Sequence, residues 1–567
     1  MGTGQHSDQS RPPIASESMK SLTILLVAVV MVGCSGADKG QQMDEAMRVV
    51  LTDTARPGFV TADAEGTALW KQTRQFYEQR AFSPAWIKDA KPRDQMEDLV
   101  EALQQVDRDG LDPELYSATL IKTKREEATK GFLTDPGFDP KEAGRLDVWL
   151  TYLYLKHASD LANGISDLAS ADKRWRIAPD TFDSLAHLRE AIDNDRIADS
   201  LADLRPQHRE YAALRDALAA HRKIAADGGW PVVPETLRLK PGQSDPAVAA
   251  VATRLSVSGD YAGPAELTTY TDDLQKAVRQ FQTRHGLAAA GLLGAETVAA
   301  LNVPVDARIR QIELNMERWR WLPQNLGERY VLVNIPEMRL RVYEGDRVPL
   351  SMAVVVGTPH TPTPIFNDQM RYVVLSPYWN VPDSIAQGET VPGMLKDPTY
   401  LTRNNMEIVD KSGKAIPVDD MDMDALDQYR FRQRPGKANS LGLVKFMFPN
   451  EYNVYLHDTP ADSLFARAGR AFSHGCVRVE NPMALAEYVL RDQPKWTTDA
   501  INTAMHAGTE TQVQLTAPLP VYLGYWTAGV DNAGTLHFRA DVYGIDADQR
   551  KRLSERMERL KKADKPD

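Results

Sequence analysis

The sequence predicts a multidomain α+β protein. A helical N-terminal region is followed by a small second helical unit and a mainly-β C-terminal domain with a lid-like insertion. Three observations carry this. A chain of 567 residues suits two to four domains at ~150 residues each. Apolar residues recur at helical spacing as far as Trp321, punctuated by Gly and Pro. After Gly327 the pattern changes to runs of β-branched and aromatic residues separated by turn signals.

Composition excludes several function classes. A hydrophobic content of 43% supports packed cores, and a mean hydropathy of −0.41 excludes a polytopic membrane protein. The net charge of −11 makes a poor partner for a phosphate backbone, so nucleic acid is not an expected ligand. The two cysteines, Cys34 and Cys476, are too few for a four-cysteine zinc site or a disulfide framework. Such low usage suits an oxidising compartment, where stray thiols are a liability.

The elements follow in order. Residues 22–32 form an apolar run broken by Thr23, about 16 Å as a helix and too short for ~30 Å of hydrocarbon. With Lys20 before it, the run reads as the core of a secretory signal. Gly33-Cys34-Ser35 follows and resembles a bacterial lipoprotein signal. That resemblance implies cleavage before Cys34, lipidation of Cys34 and, since Ser35 is not Asp, retention at the outer membrane. Residues 1–33 are thus a signal segment and 34–66 a polar tether.

Residues 67–240 read as all-α. Met96, Leu99 and Leu103 share one helical face, and "LDVWLTYLYLKHASDLANG" is a strongly apolar helix closed by Gly164. In 241–304, Leu274, Ala277, Val278 and Phe281 line a helix that Gly286 ends. The ordered pattern LQ…AV…FQ…HGL…LN resembles a small peptidoglycan-binding domain. Residues 305–328 read as an amphipathic linker helix. Residues 329–546 hold the strands, with a polar insertion at 386–440, and 547–567 a charged helix or tail.

Chemistry concentrates in "VYLHDTPADSLFARAGRAFSHGCVRVENP". A thiol attacks as thiolate and needs a base or positive charge nearby. His457 at the end of a strand, and His474 two residues before Cys476, both qualify. Gly475 permits an unusual backbone angle, and amides at such a bend can receive an oxyanion. In an extended Cys476-Val477-Arg478-Val479, Cys476 and Arg478 share a face, and Arg478 is suited to a substrate carboxylate. Alternation puts Tyr455 on the face of His457. A catalytic metal needs about three protein ligands, and no third is evident, so neither metal nor other cofactor is expected. These residues alone point to cysteine acyl transfer or hydrolysis.

His457 with Ser473-His474-Gly475-Cys476-Val477-Arg478-Val479 resembles the signature of the bacterial L,D-transpeptidase catalytic domain. "YWNVP", "RPGKANSLGLVKFMFPN" and "PLPVYLGYWTA" resemble its large subfamily with a helical scaffold and a peptidoglycan-binding module. The resemblance implies Cys476 as nucleophile and His457 as its base. It implies that Ser473, His474 and Gly475 shape the oxyanion and thiol environment, and that Arg478, Tyr455, Trp379 and Asn380 contact substrate. The implied reaction joins stem peptides of peptidoglycan by 3→3 cross-links through a cysteine thioester, with the insertion as lid. Resolution of the same acyl-enzyme by water, or by a lysine of a protein, is the alternative. A non-enzymatic wall-binding lipoprotein is disfavoured by the intact His457 and Cys476. The implied partners are stem peptides and glycan strands, a membrane through the anchor, and cell-wall synthases. The implied location is the periplasmic face of the envelope.

Overall fold

The computed structural model describes residues 35–88, 91–129, 139–165 and 172–563. The signal segment and Cys34 lie outside the described residues. Among these residues no helix is long and apolar enough to cross a membrane.

The described chain opens with a helix, Ser35–Thr52, where a solvated tether was expected. Met43, Met47 and Leu51 are spaced for one helical face and are buried against the helix Pro140–Asn163. Gly144 allows the close approach, since a Cβ there would sit 3.0 Å from the Met43 carbonyl oxygen. Three apolar residues scattered through polar text are a weak signal until the partner surface is known.

Pro140–Asn163 is the central helix of the N-terminal region. The Asp139 carboxylate accepts the Lys141 N–H at 2.9 Å, and Pro140 occupies the first turn. Asp147, fully buried on it, accepts the backbone N–H groups of Ala85, Trp86 and Ile87 and the Tyr77 hydroxyl. One carboxylate thereby holds the approach to the short hairpin β1 (Ile87–Lys88) and β2 (Lys91–Pro92).

The second helical unit comprises the helices Val248–Val257, Asp272–Arg284 and Ala295–Leu301, with a core of its own. That core begins earlier than residue 241. Val233 and Leu237 are part of it, and the Asn302 amide bonds both the N–H and the C=O of Val233.

The linker helix Val305–Arg320 is packed against the N-terminal region. It packs along the helix Arg209–Ala226 and is buried on several faces, including Ile312, Met316, Arg318 and Arg320. Two of its buried charges are matched: Arg320 pairs with Glu317 at 2.7 Å and Arg318 with Asp546 at 2.7 Å. Asp546 belongs to the C-terminal helix Ile545–Ala563, which takes up the segment expected to be a charged helix or tail. The helix is docked. Gln549 is buried between Arg318 and Asp172, and Arg556 reaches Glu65 of the N-terminal region.

The β domain is one nine-stranded sheet. Its members are β3 (Arg329–Asn334), β4 (Arg339–Glu344), β5 (Arg347–Gly357), β6 (Phe366–Leu375), β11 (Val444–Met447), β12 (Leu456–His457), β13 (Ala471–Ser473), β14 (Val477–Val479) and β15 (Thr511–Gly524). The spatial order is β13-β5-β14-β12-β11-β6-β15-β3-β4, and β5 also pairs with β4, which closes the sheet on itself. Most pairs are antiparallel; β12–β14, β15–β3 and β13–β5 are parallel. A Trp175–Ile365 bridge ties the N-terminal region to this domain.

The insertion corrects another expectation. Read from the text as a polar insertion, it has a hydrophobic core. Val381, Ala386, Met394, Leu401, Ile408, Met421 and Phe431 are buried together. They pack on a four-stranded sheet, β7 (Trp379–Asn380), β8 (Met406–Val409), β9 (Ala415–Ile416) and β10 (Arg430–Gln433), in the order β7-β10-β8-β9. The segment is a small folded cap rather than a loop. Its apolar residues come from short elements far apart in sequence, so no single window shows a period.

The three parts meet at the hairpin β16 (Ala528–Val530) and β17 (Leu536–Phe538). Arg308 lies 4.4 Å over the Phe538 ring, and His285 and His221 approach the same ring. Arg539 donates to the Arg284 carbonyl oxygen at 2.6 Å. The second helical unit is therefore packed onto the β domain.

Candidate active site

Strands β11, β12 and β14 lie side by side. Register places Lys445 opposite His457, and His457 opposite Arg478. Directly paired residues share a sheet face, so these three side chains stand in one row. Cys476 is two positions before Arg478 and joins that face, beside Tyr455. The Val477 N–H donates to the Tyr455 carbonyl at 3.2 Å. The alternate residues Leu456, Val477 and Val479 are fully buried, while Tyr455, Cys476, Arg478 and Lys445 are half-buried. Apolar residues below and polar ones above thus set the face on which the chemistry sits.

Local turns aim these side chains. The Asn450 amide donates to the carbonyls of Phe448 and Val454 and accepts the N–H groups of Tyr452 and Val454, folding the chain into β12. The Cys476 Sγ then lies 3.8 Å from the Asn453 carbonyl oxygen. His457 Nδ1 donates to the Asp458 carbonyl at 2.5 Å, which assigns the proton to Nδ1 and makes Nε2 the acceptor. The Tyr455 and His457 rings are 5.7 Å apart.

Electrostatics define the resting state. Burial, then the Arg478 charge, hold the His457 imidazole down to about 3, against the Asp458 hydrogen bond. Burial pushes the Cys476 thiol up, against hydrogen bonds from Tyr455 and the Arg478 charge. Near neutral pH the resting pair is thiol and neutral imidazole. Burial also lowers Lys445, against Glu510.

The turn at 473–476 is braced from both sides. The buried Ser473 Oγ donates to the Cys476 carbonyl at 2.6 Å and accepts the Gly475 N–H at 3.1 Å. The Ser473 carbonyl accepts from Thr358 N–H and Thr361 Oγ1. Gly475 has φ +116°, which L side chains rarely adopt, and its carbonyl accepts Thr363 Oγ1 at 2.8 Å. The Gly475 amide is therefore occupied by Ser473.

His474 points elsewhere. Its exposed Nε2 is 3.3 Å from Glu389 Oε1 of the cap, within a π-helical turn at Ala386–Thr390. Trp379 and Asn380, expected to contact substrate, are in β7. Trp379 packs against the cap core, and Asn380 is exposed opposite Arg432. The structure thus groups Cys476, His457, Tyr455 and Arg478, with Ser473 and Gly475 bracing the turn and His474 turned to the cap. Lys445 was missed; a lone Lys in the apolar run "LVKFMF" was its only sequence signal. Among the described residues no group of three or more His, Cys, Asp or Glu side chains could hold a metal.

Comparison with known proteins follows the same division. Residues 71–218 match a scaffold domain, 244–301 a "Putative peptidoglycan binding domain", and 328–513 the L,D-transpeptidase catalytic domain. A Haemophilus influenzae protein named "Putative L,D-transpeptidase" is 34% identical over 240 residues, 42% of this chain and 48% of that protein. The match spans about half the length of that curated relative. An L,D-transpeptidase structure from Xylanimonas cellulosilytica shows 18% identity over 51% of this chain and 98% of its own, with a TM-score of 0.18. One from Mycobacterium smegmatis shows 15% identity over 35% and 58%, with a TM-score of 0.17.

Proposed function

We propose that this chain, which carries an L,D-transpeptidase catalytic domain behind a scaffold and a peptidoglycan-binding domain, forms 3→3 cross-links between peptidoglycan stem peptides through a thioester on Cys476. The observation that supports this most is the placement of Cys476 on the face of His457, whose Nδ1 is tied to Asp458. The acceptor nitrogen is thereby free for the thiol proton. His457 takes that proton as the thiolate attacks the carbonyl of the third stem residue. The oxyanion is received by backbone N–H groups of the 473–476 turn, where Gly475 is already engaged by Ser473 and so holds the turn rather than the oxyanion. Collapse expels D-Ala, whose nitrogen takes the proton back from His457. The side-chain amine of a second stem then attacks the thioester, and its proton passes through His457 to the departing thiolate. A thioester keeps acyl reactivity for an amine if water is excluded, and the cap is suited to that.

The second helical unit is read as holding glycan strands near the site, and cell-wall synthases as supplying nascent stems. Cys34 is read as a lipid anchor that keeps the protein at the outer membrane, facing the periplasm. Two measurements test these readings. Mass spectrometry of muropeptides incubated with the purified enzyme should show 3→3 dimers. Tripeptides alone would make it a carboxypeptidase, and stem-modified protein would make it an attachment enzyme. Mature protein should begin at an acylated Cys34; an uncleaved upstream sequence in the membrane fraction rules out the anchor.

A further inference from the structure

Lys445 has no role in the reaction described above, yet register stands it directly beside the base. Together with Arg478 it brackets His457 with two cations on adjacent strands. No carboxylate of the described residues forms an ion pair with either. Glu510 acts on Lys445 only through space, and Arg478 Nε is buried without a hydrogen-bond partner. Two half-buried cations beside a general base are costly to leave unmatched. They disfavour the imidazolium that the reaction must form, and Arg478 already holds His457 down. An anion seated between them would offset both effects.

We propose that Lys445 and Arg478 form the subsite for the terminal carboxylate of the residue that leaves the acyl donor. The proposal rests on the transpeptidase reading and names what that site recognises. Reach supports it. Only the leaving nitrogen and one Cα separate the attacked carbonyl from that carboxylate. Arg478 lies two strand residues beyond Cys476 on the same face, about 6.6 Å along the strand. A guanidinium can grip a carboxylate bidentately, while Lys445 adds a point charge from the far side of His457. The donor's own anion then completes the electrostatics of the site: with the carboxylate docked, the Arg478 charge no longer opposes proton transfer to His457. When the leaving residue departs, the anion departs with it and clears that side for the acceptor.

The test uses the full chain and three synthetic tetrapeptide stems. One ends in free D-Ala carboxylate, one in the D-Ala amide, and one keeps the terminal carboxylate but has the third residue's side-chain carboxylate amidated. Intact-protein mass spectrometry follows acylation of Cys476. The wild type should acylate with the free acid at least tenfold faster than with the terminal amide. Lys445→Met and Arg478→Gln should each shrink that ratio, chiefly by slowing the acid, and Lys445→Arg should keep it. Equal rates for acid and terminal amide overturn the subsite while leaving the transpeptidase reading intact. A preference that follows the side-chain carboxylate overturns the assignment to the leaving residue. A ratio unchanged in both variants overturns the roles of Lys445 and Arg478. The wild-type comparison needs no variant to fold. If no stem acylates Cys476, the transpeptidase reading itself fails, and the subsite with it.

Discussion

Two of the positive clusters among the described residues are built differently. At the three-way junction, Arg254, Arg284, Arg308 and His285 are buried, with His221 half-buried beside them, around one carboxylate, Asp260, which pairs with Arg284. Aromatic faces and carbonyls cover the guanidinium groups. Arg254 stacks 3.7 Å over Trp230 and donates to the Leu301 carbonyl, Arg284 lies 5.3 Å over Phe281, and Arg308 sits over Phe538. In the row beside His457, Lys445 and Arg478 have no such covering among the described residues, and both are half-buried. Cations sandwiched by rings act as packing between domains. Cations left with an open face and no counter-ion are arranged for something that arrives. The same residue types therefore mean different things according to what lies on their flat sides.

That contrast can be broken or sharpened, the largest effects first. Cys476→Ser should abolish the acyl-enzyme altogether, because an alcohol supplies no useful nucleophile at neutral pH; a covalent stem adduct on the variant would show that another residue attacks. His457→Ala should slow acylation by about 10²–10⁴-fold, the range for a lost general base. Rates within a few-fold of wild type would move the base to another group.

At the junction the loss should appear in stability and leave chemistry alone. Phe538→Ala removes the ring shared by Arg308, His285 and His221 and should cost about 3–5 kcal/mol, read from denaturant midpoints. Iodoacetamide reactivity of Cys476 should be unchanged; a parallel change in thiol reactivity would couple the two clusters. The same packing means that excising residues 241–303 exposes the junction and cannot by itself measure glycan binding.

Acid should also separate them. Burial, then the charges of Arg284 and Arg308, hold His285 well below its ordinary value, and burial lowers His221. The unfolded chain then binds more protons than the folded one below about pH 6.5, so stability falls as pH drops through and below that value, by up to about 1.4 kcal/mol per unit for each histidine. Urea midpoints at pH 7.5, 6.5 and 5.5 should show this slope, and His285→Gln should flatten it. An equal slope in the variant would place the titration elsewhere.

The smallest effect is expected at the cap contact. His474→Ala and Glu389→Gln should each change acylation less than tenfold, since the pair is exposed and turned from the thiol. If His474→Ala matches His457→Ala, and the pH profile of thiol alkylation changes only in His474→Ala, the two histidines have been assigned in reverse.

Much of the site was legible in the text because its information is local. The S-H-G-C-V-R-V run contains the turn, its glycine and the alternation that sends Val477 and Val479 inward and Cys476 and Arg478 outward. Ser473 was read as shaping the thiol environment. The bond from its Oγ to the Gly475 amide was invisible, since it depends on how the turn closes. Trp379 entered through the resemblance alone, and its packing against the cap core was equally invisible, since that core is assembled from elements distant in sequence.

By itself, the sequence determined what short range can determine. Those are the helical and strand periods, the order of the three folded units, the candidate nucleophile and base, and the alternation that pairs Cys476 with Arg478 and Tyr455 with His457. Tertiary structure alone decided which surfaces meet. It buried Met43, Met47 and Leu51 of the supposed tether and docked the C-terminal helix through Gln549 and Arg556. It gave the insertion a core and set Lys445 beside His457. Each of these depends on strands or helices separated by long stretches of chain, and a side chain's meaning there comes from neighbours that no local window contains.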